Sequence, residues 1–262
     1  FLSKYDSLFV KIPNGVIELS NRVNSYTSLT YLFLAINRNM LGKVNSSILF
    51  LEECYVDDSM ENQKTKASKI SKILSSLYLL SNTIVNRKKE IISESVIDIP
   101  KYGDYFNCCE FDVNTCEKDI DLQKEKLLAK YQRFPQYMLS IELYDENITN
   151  NFTTLSIKDY LAIMRYCLKD KTKKSKLKVD SLLNTYLLIK MLIDRRQALN
   201  KTFPNGWKYK EAITLKFLLQ KTSLSSTTLR KYLEALIELG LIEKNTVKKE
   251  TLYKLKSQNE SN

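Results

Sequence analysis

The residues best suited to chemistry stand in one short run, Ser226, Thr227, Thr228, Arg230 and Lys231, opened by the hydroxyl-rich stretch Thr222 to Ser226 (TSLSS). A guanidinium offers a planar fork of donors to paired acceptors, and an ammonium offers a mobile point charge, so such a run suits an acceptor-rich, anionic surface. Leu229, Leu233, Leu236 and Ile237 fall at i, i+4, i+7 and i+8 and make one apolar stripe. A helix starting near Ser226 therefore turns Thr227, Arg230, Lys231 and Glu234 outward. Lys248 and Lys249 add a basic tip between two alternating segments, Leu241 to Lys244 and Thr251 to Leu255.

Other chemistry has little to work with. The chain of 262 residues contains no histidine, which removes serine-histidine and cysteine-histidine hydrolysis and the common histidine metal sites. Five glycines, set far apart, write no phosphate-binding loop. The five cysteines form no C-x-x-C pair, and Cys108, Cys109 and Cys116 read as reduced thiols rather than metal ligands. The sixteen tyrosines lack the histidine or histidine-arginine surroundings of a strand-cleaving nucleophile; Tyr31, Tyr78, Tyr186 and Tyr232 lie near apolar stripes and read as core. Glu52-Glu53 and Asp57-Asp58 are adjacent rather than on one helical face, so they read as solvated or capping. We expect no enzyme activity, no catalytic residue, no metal and no cofactor.

Charge placement points the same way as the Arg230 run. The net charge is +11, yet residues 171 to 262 carry 20 basic and 8 acidic residues, whereas residues 1 to 170 carry 21 and 22. A field so lopsided attracts a polyanion, and double-stranded DNA is the expected partner; the competing reading is a solubilising lysine-rich surface. No apolar run is long enough to span a membrane, and the opening FLSKYDSLFV lacks the apolar centre of a signal peptide. A cytoplasmic protein without membrane partners is expected.

The elements that must position these residues are mostly helical. Leu182 to Gln197, the segment from Leu215, and the helix from Ser226 to the stop at Gly240 give three helices, followed by the hairpin with its basic tip. Residues 180 to 256 are expected to fold independently. A weaker copy precedes them, with helices over Ser28 to Met40, Ser46 to Tyr55 and Ala67 to Leu80. Strands at Thr83 to Val85 and Ile91 to Ile92 then flank a tip containing Arg87, Lys88 and Lys89. Between Lys64 and Lys89 there are seven basic residues and no acidic one, and Lys66, Lys69 and Lys72 are placed on an outward face where they could meet phosphates. Residues 104 to 125 carry seven acids against two lysines and read as a linker, leading into a helix over Leu122 to Phe134. Ser156 is expected to cap a packing helix over Ile157 to Leu168, and Lys169 to Lys178 reads as a basic loop.

The stretch LKFLLQKTSLSSTTLRKYLEALIELGLIEK resembles the core of the winged helix-turn-helix family, whose second helix of the motif enters the DNA major groove. The two copies together, with FVKIPNGVIELS and SLTYLFLAINRN near the start, resemble plasmid and phage replication initiators of low-GC Gram-positive bacteria. The resemblance implies a mostly α protein of two winged helix-turn-helix domains with small hairpin wings. Residues 1–103 would form the first domain, 104–155 an acidic linker and connecting helix, and 156–262 the basic second domain. It further implies binding to repeated origin sites and recruitment of host replication proteins. A transcriptional regulator or a protein-protein adaptor would use the same fold, and a homodimer is compatible with it.

Overall fold

Leu182 to Ile193 is apolar on nearly every side, with only Asn184, Thr185 and Lys190 interrupting it, and a helix hydrophobic all round belongs at the centre of a domain. The computed structural model describes residues 8–40, 43–55, 63–80, 106–108, 129, 138–143, 151–169, 177–204, 212–247 and 250–256. In chain order the elements are β1 (Phe9–Pro13), α1 (Asn14–Arg22), α2 (Thr27–Ile36), β2 (Lys43–Ser47), α3 (Ile48–Cys54), α4 (Gln63–Leu80), β3 (Phe106–Cys108) and β4 (Met138–Leu143). There follow β5 (Phe152–Ser156), α5 (Ile157–Lys169), α6 (Val179–Thr202), β6 (Ile213–Thr214), α7 (Leu215–Lys221), α8 (Ser226–Glu238), β7 (Ile242–Val247) and β8 (Glu250–Leu255). The described chain is mostly helical with small antiparallel sheets, and no helix among the described residues is long and apolar enough to cross a membrane.

The chain divides into two compact units, residues 1–25 with 152–262, and residues 26–151. This differs from the expected boundaries after residues 103 and 155. The first 25 residues join the C-terminal unit because the ladder partner of β1 is β5, antiparallel from Phe9↔Ser156 to Pro13↔Phe152. Pro13 ends the strand and stands at the N-cap of α1, where its missing N–H costs nothing. Helix α1 then buries Val16, Ile17 and Leu19 against α6. The expected acidic linker also holds more structure than a linker, since β3 and β4 both fall within it.

In the C-terminal unit α6 is the hub, packed by α1, α5, α8, β5 and β8. Its polar interruption is used. The Asn184 side-chain amide donates to the Ser25 carbonyl at 2.7 Å, while the Asn184 carbonyl accepts from the Asn21 side chain at 3.2 Å, and Asn21 also donates to Ile17 O at 2.9 Å. The backbone carbonyl of Asn21 accepts from Ser223 N–H at 2.9 Å, which ties α1 to the turn before α8. Asn21→Ala removes both of its side-chain donations, to Ile17 O and Asn184 O, and should cost about 1–3 kcal/mol. A denaturant titration of the full chain measures it, and a change within error would show that the network adds nothing to stability.

In the second unit α2 buries eight of its ten residues, from Thr27 to Leu34. Tyr26 and Tyr55 stack with centroids 4.3 Å apart, and the Tyr55 hydroxyl donates to Tyr26 O at 2.8 Å, fixing the start of α2 against the end of α3. The sheet order is β2-β4-β3 here and β6-β8-β7 in the other unit. Each unit therefore contains helix, strand, helix, helix and two strands, with the first strand paired to the last. The likeness extends to detail. Each short helix has seven residues, follows its strand directly, and is capped by a hydroxyl that accepts from the N–H of a phenylalanine: Ser47 from Phe50 at 3.0 Å and Thr214 from Phe217 at 3.2 Å.

Candidate functional site

Helix α8 carries a group of exposed donors on a rigid element of the C-terminal unit. It begins where Ser225 Oγ accepts from Thr228 N–H at 3.2 Å, a hydroxyl N-cap that satisfies one of the orphan donors of the first turn. Leu229, Tyr232, Leu233, Ala235 and Leu236 are buried, and Ile237, expected with them, is half-buried. The opposite face shows Ser226, Thr227, Arg230 and Lys231 exposed, while Thr228 is half-buried because its hydroxyl lies 2.8 Å from the capping Ser225. The helix ends in a Schellman motif: Gly240 N–H donates to Ile237 O at 2.9 Å and Leu241 N–H to Leu236 O at 3.0 Å. Gly240 takes φ 68°, a left-handed value that a side chain would strain.

Arg230 and Glu234 stand one turn apart above Tyr253 of β8. Burial pushes the Tyr253 phenol up, Arg230 draws it down, and Glu234 raises it. Among the described residues no ion pair engages Arg230, so its fork is available for an outside acceptor. Lys216 on α7 and Lys244 on β7 are further exposed cations of this unit that the periodicity of α8 could not reveal. Lys248 and Lys249 lie outside the described residues, between the paired Val247 and Glu250.

The N-terminal set divides. Lys72 on α4 is exposed, with its ammonium 5.3 Å from the centroid of the Tyr26 ring. Lys69, expected on the outward face with it, is buried at 8% exposure. The reason is helical spacing: Lys69 stands one turn before Ile73, and the buried stripe Ile70, Ile73, Leu74 and Leu77 is wide enough to take in the lysine stem. The Lys66 side chain and the whole of Arg87, Lys88 and Lys89 lie outside what is described, as do the strands expected around that tip. Glu52, read as solvated or capping, is buried, on α3 where that helix packs against α4.

Nucleophile and metal chemistry gain little from the geometry. Burial and the neighbouring Glu53 push the Cys54 thiol up to about 11, which keeps it protonated at neutral pH. Among the described residues no cluster of three or more Cys, Asp or Glu could hold a metal ion. No family profile, curated protein or solved structure matches the chain.

Lys69 and Lys72 give distinct expected outcomes. Lys72→Ala should lower the slope of log affinity against log salt by roughly one, the value of one lost phosphate contact. Lys69→Ala should change the unfolding midpoint and leave that slope unchanged. Salt titrations of each variant on a random duplex read the first, and thermal melts read the second.

Proposed function

We propose that this chain binds double-stranded DNA through winged helix-turn-helix units, with the N-terminal half of α8 entering the major groove. The observation that carries the reading is the exposed face Ser226, Thr227, Arg230 and Lys231 on a capped helix that follows a short helix and precedes a two-stranded hairpin. The order of elements and strands agrees with that motif in both units. A major groove admits one helix, and its base edges offer paired acceptors to a guanidinium fork. The net positive charge of residues 171 to 262 supplies the attraction to phosphates that non-specific affinity requires. Lys248 and Lys249, by their sequence position, join Lys231 as phosphate contacts.

Within that activity the chain acts as a replication initiator at repeated origin sites, from the cytoplasm and with host replication proteins as partners. Two copies of one DNA-binding arrangement in a single chain suit directly repeated sites. The test is to sequence the DNA fragments that the purified protein retains from its source genome. Clustered direct repeats beside an origin are the expected result. Scattered promoter sites would replace initiation by transcriptional regulation, and no retained DNA would leave a protein-protein adaptor.

A further inference from the structure

Strand β5 buries Thr153 and Leu155 in the core, which turns Thr154 and Ser156 to its other face. There they border a partly open pocket of about 210 Å³ lined by β1, β5, the first turn of α5, α6 and the chain segments that follow α8 and β8. Three lysines from separate elements line it: Lys158 of α5, Lys190 of α6 and Lys256 beyond β8. Among the described residues none of the three is held in an ion pair. Lys256 is seated against Gly240, where an added Cβ would lie 3.6 Å from its Nζ.

The lining contains one carboxylate, Asp159, and its charge is already engaged. Asp159 is buried, sits in the first turn of α5 where the helix dipole favours an anion, and accepts from the Tyr186 hydroxyl at 2.7 Å. Burial and that carboxylate push the Tyr186 phenol well above its ordinary range, so it remains a donor to Asp159. Burial raises the Asp194 carboxyl above its ordinary value and Lys190, one turn before it on α6, draws it partly back, so Asp194 offsets part of that lysine's charge. Ser156 Oγ, which accepts from Lys158 N–H at 3.2 Å, keeps its own O–H to donate. Positive charge and a hydroxyl donor thus exceed what the protein itself satisfies.

We propose that this cavity binds a small dianion, a phosphate carried free or as a phosphomonoester, held by Lys158, Lys190 and Lys256. The volume has room for a phosphate group and falls below the roughly 300–1,000 Å³ of pockets for larger ligands. The site lies beyond the C-terminal end of α8, whereas the proposed groove contacts lie on its N-terminal half, so the inference does not rest on the DNA reading.

The experiment uses the full chain without DNA. Inorganic phosphate and glycerol 2-phosphate are titrated separately by calorimetry at constant ionic strength set with chloride, with thermal melts alongside. Saturable one-site binding with a raised melting midpoint is expected for at least one of the two; tighter binding of the ester assigns the phosphomonoester, and equal binding assigns the free ion. Lys158→Gln and Lys256→Gln, both at exposed side chains, should each weaken binding by on the order of tenfold with unchanged circular dichroism. Lys201→Gln, exposed near the end of α6 and outside the cavity lining, should leave it unchanged. Absence of saturable binding, retention of affinity in both cavity variants, or an equal loss in Lys201→Gln would overturn the proposal.

Discussion

Arg230→Ala is expected to reduce discrimination between a cognate and a scrambled duplex by roughly 5- to 150-fold, the equivalent of about 1–3 kcal/mol for one bidentate contact to a base edge. The magnitude follows from what the side chain is and where it stands. Arg230 lies on the exposed face of α8, one residue past the buried Leu229, and the capped first turn before it fixes the direction in which the face points. A guanidinium fork matches two acceptors on one guanine, whereas an ammonium such as that of Lys231 suits a phosphate as a point charge and carries no sequence information. Lys231→Ala should therefore weaken cognate and scrambled binding alike. Competition titrations at fixed salt separate the two effects. If Arg230→Ala leaves the cognate-to-scrambled ratio unchanged while Lys231→Ala alters it, the two roles have been assigned the wrong way round.

Helix α8 was legible because every signal that sets it is local: the apolar spacing from Leu229 to Leu236, the hydroxyl cap at its start, and Gly240 at its end. The hairpin after it was legible for the same reason. Strand β1 was not, because the alternation in FVKIP says only that a strand forms, and its partner β5 lies far along the chain. The assignment of residues 1–25 to the C-terminal unit follows from that pairing alone. The burial of Lys69 was not legible, because its charge points to solvent while its stem can lie along a buried stripe. The likeness of Ser47 to Cys54 (SILFLEEC) and Thr214 to Lys221 (TLKFLLQK) was open to reading: hydroxyl cap, three-residue step to phenylalanine, then leucine. The lysine-lined cavity left no comparable trace, since its walls come from β1, β5, α5, α6 and the residues after α8 and β8, and no single spacing unites them.

The same non-local pairing reverses the expectation that residues 180 to 256 fold by themselves. That fragment keeps α6, α7, α8 and the hairpin but loses β1, α1, β5 and α5, three of which pack directly on α6. The side chains removed include Ile12, Val16, Ile17, Leu19, Leu155, Tyr160 and Ile163, all buried. Each large apolar side chain contributes about 1.5–3 kcal/mol when fully buried, so several together match or exceed the whole stability of an ordinary domain, about 5–15 kcal/mol. The turn before α8 also loses its tie, because the Asn21 carbonyl that accepts from Ser223 N–H is absent. Calorimetry and circular dichroism of the fragment are expected to show a broad, non-cooperative melt, against a sharp transition for the full chain. A peptide spanning residues 8 to 25, added to a fragment spanning residues 152 to 256, should restore much of the sharpness, because β1 and α1 then regain β5 and α6. A cooperative melt of residues 180 to 256 with equal calorimetric and van't Hoff enthalpies would show that β1 and α1 are ornaments on a domain that does not need them.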